Sequence, residues 1–288
     1  MKAFFSTLIL GSAAFAVQAH AAAVAPLTLD VFNPGEVAIF PVASVLVSGQ
    51  HDAVLIDAQF SRGEAEKLVQ KILASGKKLT TVYISHSDPD YYFGLDVIKA
   101  AFPQAKIVAT ADTVAEIKRK ADAKVAYWGP ILKSNAPQSI VIPQALKGKR
   151  ITLEGQSLHI SGPTPSRTYV WIPSIKAVVG GVVLFNNLHV WMADTQTLQS
   201  RQDWIKTLDG IAALKPVTVV PGHFKPGSPF TPDSIAFTRN YLVTFEAETA
   251  KAANSAALIA AMQQHYPKLG LDSGLGISAK VAKGEMQW

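Results

Sequence analysis

The chain is 288 residues long, contains no cysteine, and sets 27 Lys and Arg against 21 Asp and Glu, a formal charge of +6. With 49% hydrophobic and 17% charged residues it is too apolar for a disordered chain, and its cations are scattered without a block, which excludes a basic nucleic-acid arm. The missing thiols exclude disulfide scaffolds, Cys-ligated zinc, iron–sulfur clusters and Cys nucleophiles. That leaves His, Asp, Glu, Ser and Tyr to carry chemistry.

The N-terminus reads as a secretory signal over residues 1–21: Lys2 is the positive charge, Ala3 to Val17 the apolar run, and Ala19-His20-Ala21 the small-x-small cleavage site. The run is shorter than the ~20 residues a membrane span needs, so a periplasmic or secreted protein with no membrane anchor after cleavage is expected. One domain over 22–288 follows. Leu27–Phe32, Ser44–Ser48 and Ala53–Asp57 read as strands, with Gly49-Gln50-His51-Asp52 as a hairpin turn. Ser61 to Ser75 is a helix opened by the capping pair Ser61 and Glu64 and closed by Gly76. Thr80–Ile84 is a strand, Tyr92–Ala101 a short helix, Lys106–Ala109 a strand, and Asp112 to about Val125 a helix. From Ile151 the pattern turns into an antiparallel meander: Ile151–Leu153, Leu158–Ile160, Tyr169–Ile172 and Ala177–Leu184. A helix over Ser200–Leu214, the strand Val217–Val220, a helical extension over about 232–264 and a polar Gly/Lys tail complete the chain.

The densest chemistry is Ser85-His86-Ser87-Asp88-Pro89-Asp90-Tyr91-Tyr92-Phe93-Gly94, directly after a strand. In extended backbone, residues two apart face the same way, so His86, Asp88 and Asp90 can converge, and Pro89 biases Asp88 towards that geometry. One imidazole and two carboxylates make half of a divalent-metal site. The competing structural reading has Asp88 and Asp90 capping the next helix and His86 as a satisfied loop residue.

This segment resembles the signature of the metallo-β-lactamase superfamily, His-x-His-x-Asp-His after a strand. The likeness extends from Val45 to His223 through the strand ending in Asp57, Gly162-Pro163, Gly180-Gly181 and Val219-Val220-Pro221-Gly222-His223. It implies an αββα sandwich of two mixed sheets flanked by helices, with the site where the ends of Thr80–Ile84 and Val217–Val220 meet. Residue by residue, it places His86, Asp90 and His223 at metal-ligand positions, with Asp88 where a histidine belongs. Tyr91 stands at another ligand position, Pro165 replaces a third histidine, and Val182 replaces a bridging aspartate. The dinuclear zinc centre is therefore not expected.

The surviving set, His86, Asp88, Asp90 and His223, suits one divalent ion, zinc foremost, with manganese or iron(II) open. The resemblance then implies an exported mononuclear hydrolase of an ester, lactone or amide in a small-molecule substrate. The metal would activate a water, and Asp90 and Tyr91 would take part in catalysis. His189 is a candidate metal or substrate contact, and Tyr92 and Trp191 are candidate pocket walls. Asp194 reads as a turn or helix-start residue. The alternative function is a catalytically degenerate binding protein; metal-free acid/base work by Asp88 and Asp90 is a third.

Overall fold

The computed structural model describes residues 25–288 except 163, 165 and 166, so the expected signal peptide and Pro165 lie outside the described residues. The chain enters through β1 (Thr28–Phe32), β2 (Ser44–Ser48) and β3 (Asp52–Ile56), which pair antiparallel in sequence. Gly49 N–H donates to the Asp52 carbonyl at 2.9 Å, closing the expected hairpin. Then come α1 (Arg62–Ala74), β4 (Lys78–Ile84), α2 (Pro89–Tyr92), α3 (Leu95–Ala101), β5 (Lys106–Ala109), α4 (Ala111–Leu132) and β6 (Gln144–Ala145). Strands β3 to β6 are parallel neighbours, so the first sheet runs β1-β2-β3-β4-β5-β6.

The second half supplies β7 (Arg150–Leu153), β8 (Gln156–Ser161), β9 (Tyr169–Ile172), β10 (Ala177–Val179), β11 (Phe185–Asn186), α5 (Leu198–Ala213), β12 (Thr218–Val220) and β13 (His223–Phe224). Its sheet has the order β12-β10-β9-β8-β7, and β11 pairs with β13 as a short ribbon. Helices α6 (Asp233–Lys251), α7 (Ser255–His265) and α8 (Asp272–Ala282) close the described chain.

Period-two alternation explains the layers. Val45, Val47, Val54, Ile56 and Tyr83 of the first sheet share one buried cluster with Leu158, Ile160, Val170 and Val179 of the second. Their alternates, Leu46, Leu55, Val82, Val178 and Val219, fall in the cluster containing the helices' apolar faces. Two mixed sheets thus face each other with helices outside, the expected αββα sandwich.

Several expected boundaries move. The helix expected over Tyr92–Ala101 is two helices, α2 and α3, because Gly94 is wedged under the chain: a Cβ there would lie 2.2 Å from the Ala58 carbonyl oxygen. The strand expected to run from Ala177 to Leu184 stops at Val179, where Gly180 and Gly181 take φ of +71° and +84°. It also pairs parallel with β12, so the second sheet is not a pure meander. Helix α4 runs past Val125 to Leu132, burying Trp128 and Leu132. The extension over 232–264 breaks between Lys251 and Ser255, and the Gly/Lys tail contains α8, with Leu275 and Ala279 fully buried.

Candidate functional site

The site forms where β4 and β12 end. Beneath it, Asp57 is fully buried at φ +63°; its carboxylate receives the Ser85 N–H (2.8 Å) and lies 2.7 Å from the Ser85 hydroxyl, which pins the segment entering His86. Burial, resisted by those Ser85 bonds, pushes the Asp57 carboxyl up to about 8. Asp88 occupies the N-cap position of α2 with extended backbone and Pro89 at N1, yet its side chain makes no cap bond. The carboxylate turns instead to His86 Nδ1 (3.3 Å) and, on its other oxygen, to Lys124 Nζ (3.8 Å). Burial raises the Asp88 carboxyl, but His86, Lys124 and Arg167 outweigh it and hold the group below its ordinary range.

Asp90 and Tyr91, within the short α2, meet His223 on β13. Asp90 Oδ2 lies 3.2 Å from His223 Nε2, and the Tyr91 hydroxyl lies 3.0 Å from the same nitrogen. His223 stacks on Phe185 at 5.0 Å, and its Nδ1 is buried with no partner among the described residues. Burial, then the charges of Asp90, Asp57 and Asp88, push the Tyr91 phenol well above its ordinary range. The Tyr91 ring sits edge-on to both imidazoles, 5.4 Å from His86 and 5.7 Å from His223. It fills the junction of the four sequence-predicted ligands, which divide into His86 with Asp88 and Asp90 with His223.

Among the described residues, no three His, Cys, Asp or Glu side chains gather to hold a metal ion. The donor chemistry agrees. A phenol that resists ionisation stands in a ligand position, and Asp88 is already met by Lys124 and by the charge of Arg167. The family's metal centre therefore does not fit the residues as they stand: of the expected ligands, His86 lies beside Asp88 and His223 beside Asp90, with the Tyr91 ring edge-on to both imidazoles.

Above these groups opens a small cleft of about 30 Å³. Asp88, Asp90 and His223 form its polar side, with Val182 beside them. Phe40, Trp128, Trp191 and Trp288 wall it, and Lys124 reaches in from α4. Of the two expected wall residues, Trp191 lines the cleft and Tyr92 does not: Tyr92 is 1% exposed, packed edge-on to Phe93 in the core. His189 does not reach the cleft either. It is 1% exposed, with Nδ1 3.0 Å from the Tyr241 hydroxyl and Nε2 3.7 Å from Asp272, and burial lowers its pKa. Asp194 fastens the tail, accepting from the indole N–H of Trp191 (2.6 Å) and of Trp288 (2.9 Å).

Sequence reasoning passed over Phe40, Lys124, Trp128, Arg167 and Trp288. Lys124 and Trp128 carried the only local signal, an i,i+4 spacing that shares a face once the helix continues past Val125. Arg167 stacks over Trp204 (4.5 Å), behind the cleft, and its Nη2 has no hydrogen-bond partner among the described residues.

The architecture and the position of the cleft at the strand ends are those of the metallo-hydrolase αββα fold. The model of the metallo-beta-lactamase superfamily matches residues 38–223, and the chain belongs to that superfamily, whose members generally bind divalent metals, usually zinc. The uncharacterized protein YobT of Bacillus subtilis (strain 168) is 25% identical over 138 residues, 46% of this chain and 55% of that protein. The chain thus spans about half the length of that curated relative. Among solved structures, the metallo-beta-lactamase family protein TTHA1429 from Thermus thermophilus matches with a TM-score of 0.61 at 15% identity, over 90% of this chain and 91% of that one. A metallo-beta-lactamase from Pontibacter korlensis matches with a TM-score of 0.53 at 17% identity (76% and 95%). The DIM-1 metallo-beta-lactamase gives 0.52 at 17% identity (77% and 99%). At these identities the likeness shows the fold alone.

Proposed function

We propose that this chain is a small-molecule-binding member of the superfamily whose cleft works without the family's metal centre. One observation carries the reading: the Tyr91 ring occupies the junction where the predicted ligands would have to meet, while Lys124 and Arg167 offset the charge of Asp88. What remains is a small aromatic-walled cleft with a few convergent polar groups, part of which the Lys124 side chain occupies. The test is metal analysis of protein purified without chelator and then supplemented with zinc, manganese and iron(II). Metal far below one equivalent supports the reading, and near-stoichiometric metal overturns it.

A second reading is metal-dependent hydrolysis of an ester, lactone or amide around a single zinc, manganese or iron ion. It is favoured by the close approach of Asp90 Oδ2 and the Tyr91 hydroxyl to one nitrogen of His223. Stoichiometric metal together with esterase or lactonase activity lost in Asp90→Ala would support it. Export to the periplasm or medium is part of both readings, and N-terminal sequencing that finds Met1 on the folded protein would overturn it.

A further inference from the structure

The rings and charges that line the cleft select one class of ligand. Phe40 packs edge-on to Trp128 at 5.4 Å and to Trp191 at 5.8 Å, and Trp191 meets Trp288 at 5.1 Å. Three indoles and a phenyl ring thereby form one continuous wall, facing a polar side that carries the carboxylates of Asp88 and Asp90. Among the described residues, the lining sets one lysine ammonium, that of Lys124, against these two negative charges. Arg167 also acts on Asp88, but from behind: it lines a different cavity, beside Trp204 and Asp194.

Lys124 shows what this arrangement binds. Its ammonium stands 5.2 Å from the centroid of the Trp288 ring and 3.8 Å from Asp88 Oδ1, between an indole face and a carboxylate. An indole face attracts a cation through its quadrupole, and a ring of such faces holds a quaternary ammonium well. A lysine ammonium is compact and strongly hydrated, so it gives up more water than an alkylated head would on entering the same wall. The side chain of Lys124 is 21% exposed, so it can swing out to solvent on its flexible stem.

We infer that the cleft binds an organic cation with an alkylated ammonium head, seated between the Trp288 side of the wall and Asp88, in the place that Lys124 otherwise fills. The inference rests on the reading of the cleft as a metal-independent binding site. It names the ligand chemistry that site would take.

The experiment is calorimetric and tryptophan-fluorescence titration of the full protein with choline. Its neutral isostere 3,3-dimethylbutanol and acetate serve as controls, and metal content is read on the same sample. Choline is expected to bind, the isostere about tenfold more weakly, and acetate not at all. Lys124→Met, which keeps the stem and removes the competing charge, is expected to tighten choline binding about tenfold. Trp288→Ala is expected to weaken it by a similar factor at unchanged far-UV circular dichroism. Equal affinity for choline and the isostere, preference for acetate, or weaker choline binding by Lys124→Met would overturn the inference. A sample that holds stoichiometric zinc yet still prefers choline would overturn the metal-free reading alone. A metal-free sample that prefers the isostere would overturn the cation inference alone.

Discussion

Replacing Asp57 by Asn removes one titration and little else. Asn tolerates the left-handed backbone that Asp57 adopts at φ +63°, and its amide can accept the Ser85 N–H and donate to the Ser85 hydroxyl. In the folded chain the Asp57 carboxyl titrates at about 8; in the unfolded chain it titrates at about 4. Between those values the native state holds a proton that the unfolded state has released, so unfolding stability falls as pH rises and levels off above the folded value. Four pH units at about 1.4 kcal/mol each give a loss on the order of 5 kcal/mol, of which about 4 has accrued by pH 7. That is a large share of the ~5–15 kcal/mol that typically holds a domain together. Urea unfolding of parent and Asp57→Asn between pH 4 and pH 8.5 measures it. The two should have similar stability near pH 4, and the variant should gain on the parent by roughly 1 kcal/mol per pH unit up to about pH 8. Stability curves that stay parallel across the range would refute the assignment of a proton to Asp57 at neutral pH.

Three further outcomes follow from particular contacts. The Glu154 carboxylate accepts from the backbone N–H of Gln50 (2.7 Å), His51 (2.6 Å) and Asp52 (2.8 Å), and these bonds hold its pKa at about 2. Glu154→Gln should therefore lower the thermal midpoint at neutral pH. A depressed carboxyl stabilises above its ordinary pKa and loses that contribution as pH falls towards the folded one, so the gap should close near pH 2; a gap that persists there would count against the charge. Gly181→Ala should abolish soluble expression or lower the midpoint steeply, since its Cβ would lie 2.1 Å from the Thr168 carbonyl oxygen at φ +84°; an unchanged melting curve would show that the backbone can give. Tyr91→His combined with Val182→Asp should bring the protein closer to one equivalent of zinc after dialysis, because it opens the junction between the donor pairs and adds two ligands beside His223. A folded double variant with the parent's metal content would show that the Tyr91 ring is not what keeps the pairs apart.

Features that depend on neighbours a few residues apart were legible in the chain before any fold was known. Ser61 and Glu64 form the capping box of α1, and Gly49 to Asp52 close the β2–β3 hairpin between two short apolar runs that read as strands. Residue types and spacing also brought His86, Asp88 and Asp90 to notice, and the resemblance to the family added His223. How those side chains group was a matter for the folded chain. Whether Asp88 turns to a metal or to Lys124 depends on where α4 packs, and whether His86 meets His223 depends on the ring of Tyr91. The same holds for boundaries set by distant partners. Gly181 ends its strand region against Thr168, and Trp128 extends α4 by packing on Phe40 and Phe60. Gly274 and Gly276, poor helix formers, are helical because Leu275 and Ala279 on the same turns are buried. Local spacing encodes dihedral preference and facial periodicity. The gathering of charges and rings from remote segments is fixed by packing free energy, which no window of sequence contains.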